Sequence, residues 1–174
     1  MANILYKQVL VDTNRRSLVK WVGVSDGTAE ANTVLLDVAS LAFSMNANNQ
    51  ILGTGTDRKS LYRTSIKRIY GQGVFKNKGH IFLKWQGTNG ENIPFVAVGD
   101  GSFDYNFEVE GMSAAISIVD SANSTGNIVF SSAGNTNGDA LTLFIDLKKD
   151  GRDYDQGQTA APRDFNYGVT GRGQ

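Results

Sequence analysis

Between Phe103 and Glu110 apolar and polar residues alternate without a break: Phe-Asp-Tyr-Asn-Phe-Glu-Val-Glu. A strand turns successive side chains to opposite faces. This order therefore sets Phe103, Tyr105, Phe107 and Val109 on one side and Asp104, Asn106, Glu108 and Glu110 on the other. A helix would scatter both sets around its axis. Burying three aromatic rings and a valine at roughly 1.5–3 kcal/mol each marks the segment as the expected centre of a sheet.

The rest of the chain reads the same way. Short runs of β-branched, aromatic and aliphatic residues recur between Gly, Asn and Asp clusters, giving about nine or ten candidate strands. Three hairpins are expected. Val9–Val11 and Leu18–Val24 flank the polar turn Asp12 to Arg16, and His80–Trp85 and Ile93–Val98 are joined through Gly87-Thr88-Asn89-Gly90. Asn127–Phe130 and Ala140–Lys148 are joined through Ala133 to Asp139. Helical signal is confined to Asp37–Phe43, where Leu36, Ala39, Leu41 and Phe43 form no 3.6-residue stripe and support one or two turns at most.

With many strands and no intervening helices an all-parallel sheet is excluded, and the expected fold is all-β, an antiparallel β-sandwich or jelly roll. Sandwich topology is not decided by the pattern. The 174 residues suit one core, with 40% hydrophobic and 20% charged residues. The expected division is a β-sandwich domain over 1–149 and an extended C-terminal arm over 150–174. There Gly, Pro and polar residues dominate, while Tyr154, Phe165, Tyr167 and Val169 are spaced apolar anchors for a neighbouring chain. No apolar run approaches the ~18–20 residues that span a bilayer, and the start is not a basic region followed by an apolar core. A product made in a cytoplasm, with no membrane partner, is expected.

Charge balances overall, 17 basic residues against 17 acidic, yet it is segregated along the chain. Arg58, Lys59, Arg63, Lys67, Arg68, Lys76, Lys78 and Lys84 lie in a stretch with no acid, and eleven of the acids fall between Glu91 and Asp155. These sets can meet across strands within one molecule or join copies to each other. The interface expected between chains matches Arg63, Lys67 and Arg68 with Asp104, Glu108 and Glu110. Tyr62, Tyr70, Phe75 and Trp85 interleave with the basic set as a nucleic-acid groove requires, but the acidic half repels phosphate, so nucleic acid is not an expected partner.

Reactive groups are sparse. The chain has no cysteine, and His80 is the lone histidine. One imidazole cannot build a His-based metal site. No Gly-x-Ser-x-Gly elbow marks a nucleophile, and the Gly53, Gly71 and Gly99 pairs lack the continuation of a phosphate loop. Glu108 and Glu110 share a face, as glycosidase carboxylates must, but charged edges are the commoner reason for such a pair. Asp150, Asp153 and Asp155 lack the distal Glu of a calcium loop. No catalytic residue, metal or cofactor is expected, and the chain is read as a non-enzymatic protein. A carbohydrate-binding module is the alternative, with Trp21, Trp85 or Tyr105 stacking on sugar rings.

The opening from Val9 through Asp12-Thr13-Asn14-Arg15-Arg16 to Trp21-Val22-Gly23, with the strand-rich middle up to Ile145-Asp146-Leu147, resembles small structural proteins of marine and cyanobacterial tailed phages. The resemblance implies a multi-copy virion component: a jelly-roll decoration or cement protein of the capsid, or an adaptor of the neck or tail. It implies homo-oligomers, other virion proteins as partners and location in the virion. It transfers no functional residue.

Overall fold

The computed structural model describes residues 3–13, 15–41, 44–45, 51–52, 64–87, 90, 92–107 and 124–149. They form eleven strands: β1 (Ile4–Asp12), β2 (Arg16–Asp26), β3 (Thr33–Leu36), β4 (Ser44–Met45), β5 (Ile51–Leu52), β6 (Thr64–Val74), β7 (His80–Gly87), β8 (Ile93–Val98), β9 (Gly101–Asn106), β10 (Ser124–Ala133) and β11 (Asn137–Lys149). A 3-10 turn at Val38–Ser40 is the sole helical element among the described residues, and it falls inside the stretch expected to turn.

Two antiparallel sheets carry the fold, one in the order β1-β2-β11-β6-β9 and the other in the order β3-β10-β7-β8, with β4 and β5 paired separately. The strand pairs are nested: β2 with β11, β3 with β10, β6 with β9, β7 with β8. That connectivity is a long antiparallel ribbon wound into two layers, the jelly roll. Of the two architectures the sequence leaves open, the winding selects this one.

Alternation builds the core. Along β11 Leu141, Leu143, Ile145 and Leu147 point inward and are buried, while Ala140, Thr142, Phe144 and Asp146 face outward. Val19 and Trp21 of β2 and Ile66 and Ile69 of β6 extend the same layer. Leu83 and Trp85 of β7 and Ile128 and Phe130 of β10 face them from the second sheet. Trp21 meets Phe130 edge-on across the interface, with ring centroids 4.9 Å apart.

The β1–β2 and β7–β8 hairpins form as expected, the first with β1 beginning at Ile4. The third does not. β10 and β11 are consecutive in the chain but lie in opposite sheets. Gly134 and Gly138, both at positive φ, turn the connecting loop across the sandwich. Asp139 fixes that loop from inside, its carboxylate accepting from the Thr136 amide at 2.8 Å, the Thr136 hydroxyl at 3.0 Å and the Lys76 amide at 3.0 Å. Burial pushes its pKa up, but these donors outweigh burial and hold it below the ordinary 3.8.

The β9 strand is likewise not central. Phe103, Tyr105 and Phe107 do share the inner face, yet β9 is an edge strand, and Tyr105 is 39% exposed. The centre is β11, flanked on both sides and longer. Val109, Glu108 and Glu110 lie outside the described residues.

Candidate assembly interface

The five-stranded sheet is one strand wider than its partner, and the surplus strand is β1. Every residue from Ile4 to Val11 is exposed, including Ile4 at 67%, Tyr6 at 57%, Leu10 at 43% and Val9 at 42%. Register with β2 sets Ile4 and Tyr6 opposite Val24 and Val22 on the outer face, and Leu5 and Val9 opposite Gly23 and Val19 on the face turned toward the second sheet. Both faces of the strand are therefore apolar and uncovered. Among the described residues no strand pairs with its outer backbone edge.

Two of the other edges are blunted, while β9, the far edge of the same sheet, is six residues long. β8 carries Pro94, which cannot donate a ladder hydrogen bond, together with a register shift, and β3 has only four residues. On β1 protection is limited to Lys7 and an irregularity between Val9 and Val11.

Both ends of β1 are fixed. At the start, Asn3 accepts from the Asp26 amide at 2.8 Å and donates to Glu30 at 2.6 Å, which collects two carboxylates there. Thr28 hydrogen bonds hold the Asp26 carboxyl below the ordinary range. At the far end Lys149 pairs with Asp12, and the Lys149 amide donates to the Arg15 carbonyl at 2.9 Å. Asp146 and Asp12 are taken up there by Arg16 and Lys149, and exposed Arg15 and Lys148 leave that end basic. The strand runs from an acidic end to a basic one.

Of the residues expected to join chains, Arg68 and Asp104 pair within this one. Arg68 on β6 grips Asp104 on β9 with two bonds, Nε at 2.8 Å and the terminal nitrogen at 2.5 Å. These bonds hold Asp104 below the ordinary carboxylate range and raise Arg68. Asp146 on β11 stands opposite Arg68 in register and is itself held by Arg16 of β2 at 2.7 and 2.8 Å. Arg16, Asp146, Arg68 and Asp104 thus alternate in charge across β2, β11, β6 and β9, and Arg68 and Asp104 are paired within the chain. Lys67 is the residue where β6 shifts register against β11, half-buried, its carbonyl taken by the Phe107 amide. Arg63, Glu108, Glu110, Tyr154, Phe165, Tyr167 and Val169 lie outside the described residues, as do Asp150, Asp153 and Asp155.

Beside the ladder the outer sheet face holds a groove of 590 Å³ lined by Tyr70, Gln72, Val74, Ser102, Thr142 and Phe144 among others. Sugar binding there would need a free ring face. Tyr70 and Phe144 stack on each other at 4.9 Å and 3°, and their outer faces carry Arg68 and Lys20. Trp21 and Trp85 are buried in the core, whereas Tyr105 is exposed, with Phe103 and Phe107 beside it at ring-centroid distances of 6.1 and 6.5 Å. Neither of the two tryptophans expected to bind sugar offers an open face. Phe75 is buried with Trp85, so neither ring can stack on a nucleic-acid base.

His80 packs edge-on against Phe82, with Nδ1 3.2 Å from the Lys78 carbonyl. Among the described residues no three His, Cys, Asp or Glu side chains gather as a metal site, and no helix is long and apolar enough to cross a membrane.

The exposure of β1 went unread in the sequence, although its signal is there. Ile4-Leu5-Tyr6-Lys7-Gln8-Val9-Leu10-Val11 is apolar on both faces, the composition of a strand covered on both sides. No family model matches the chain, and neither a curated protein nor a solved structure matches it.

Proposed function

We propose that the chain is a non-catalytic structural subunit of a tailed-phage virion, a decoration or cement protein of the capsid surface that joins other protein chains through β1. The observation that carries the reading is the exposure of an apolar strand on both faces and along its outer edge. An open edge of this kind is a template for strand addition from another chain, and proteins not built to use one normally blunt it. The assignment to a virion adds the resemblance of the opening and middle segments to phage structural proteins; jelly rolls recur in capsid proteins, a fold-level analogy. The mechanism is mechanical: each added contact that exists only in the assembled shell raises the free energy needed to take it apart.

The test is mass spectrometry of purified particles from the phage whose genome encodes the chain. The expected result is many copies per particle, lost when Tyr6 and Val9 are both replaced by lysine. Removing 150–174 is expected to abolish incorporation with the sheet still folded. Particles that lack the wild-type chain contradict the reading.

A further inference from the structure

The uncovered strand also says what covers it. We propose that the occupant of β1 is β1 of a second copy, added antiparallel about a twofold axis near Gln8, so that two five-stranded sheets become one of ten. The proposal rests on the assembly reading above and names the partner at that same surface.

Two observations point to a second copy and a third places the axis. The first is the open edge: in-plane addition of an identical strand pairs the outward backbone groups of both copies, and the apolar side chains of each β1 gain those of the other as cross-strand neighbours. The second is charge. Antiparallel addition sets the Asp26 and Glu30 end of one copy against the Arg15 and Lys148 end of the other, twice over by symmetry. A parallel arrangement would bring like ends together. The third is register. A twofold axis normal to the sheet must pass through a residue that faces itself. With Gln8 there, Lys7 lies opposite Val9 of the other copy and the two lysines stay apart; with Lys7 there, like charges meet directly.

The chain has no cysteine, which makes the axis testable. Side chains facing each other across an antiparallel pair have Cβ atoms about 4.5–5.5 Å apart, close to disulfide reach. The Gln8→Cys variant is therefore expected to oxidise to a covalent dimer. Val34→Cys, exposed on the edge of the other sheet, is expected to remain single. By light scattering the native chain should have twice the 18.8 kDa chain mass, and the Tyr6→Lys/Val9→Lys variant the single mass with its β circular dichroism intact. Both side chains are exposed, so the charges test pairing and not folding.

A native chain that stays at single mass at every concentration overturns the proposal, and so does a dimer that neither crosslinks at Gln8 nor dissociates with the lysine pair. Particle binding separates this proposal from the broader one. A monomeric chain that still needs Tyr6 and Val9 to join particles removes the second copy and leaves the assembly reading standing. A dimer that depends on β1 but is missing from particles supports the pairing and removes the virion role.

Discussion

Lys149, fully buried at the end of β11, places its Nζ 2.5 Å from the Asp12 carboxylate at the end of β1. The pair reaches over β2 and ties the edge strand to the centre of the sheet. A buried charge is tolerated only with a partner, so the value of the pair shows when one half is removed.

Lys149→Ala removes the buried cation and its charged hydrogen bond while Asp12, 20% exposed, keeps access to water, and is expected to cost about 1.5–3 kcal/mol in urea unfolding. Lys149→Met with Asp12→Asn removes both charges and keeps the volume, and should recover most of that loss. A double variant as unstable as Lys149→Ala would show that packing, not charge pairing, holds the end of β1.

Asp139 makes stability depend on acid. Its carboxyl is held below 3.8 in the folded chain, so the stabilisation is present above the unfolded value and is lost as pH falls through the lower folded one. Urea midpoints are expected to fall below about pH 4, and to fall less steeply in Asp139→Asn. At neutral pH Asp139→Ala strands the Thr136 and Lys76 amides and should cost roughly 1–3 kcal/mol.

Gly71 lies where β6 passes β11, and a methyl group there would run into the Thr142 carbonyl and the Phe103 ring. Gly71→Ala is expected to destabilise by about 1–3 kcal/mol through forced backbone movement, read as a lowered thermal midpoint. An unchanged midpoint would mean that the two strands separate more readily than their register implies.

Local features were legible in the sequence and winding was not. The β1–β2 and β7–β8 hairpins show because turn residues and strands are adjacent in the chain. The Ala133–Asp139 loop carries the same Gly and Asn signals, yet it crosses between sheets, and no local signal tells a hairpin from a crossing. β9 has the clearest alternation but sits at an edge, because alternation reports which face is buried and not how many neighbours a strand has. Lys149 and Asp139 carry no local sign of burial, since it depends on Asp12 and the Lys76 amide being brought to them by the fold. The charge segregation was visible, and its meeting point, Arg68 between Asp104 and Asp146, needed the strand order. β1 was readable from its two apolar faces, once these are taken as a demand for cover that its own chain leaves unmet among the described residues.

Amide hydrogen exchange along Ile4–Asp12 tests that demand most directly, because half of the strand's backbone groups point away from β2. The account predicts that these outward amides are protected in concentrated native protein and exchange freely on dilution, or at any concentration when Tyr6 and Val9 are lysine, while the amides facing β2 stay protected throughout. Outward amides that exchange equally fast in every one of these samples would contradict it.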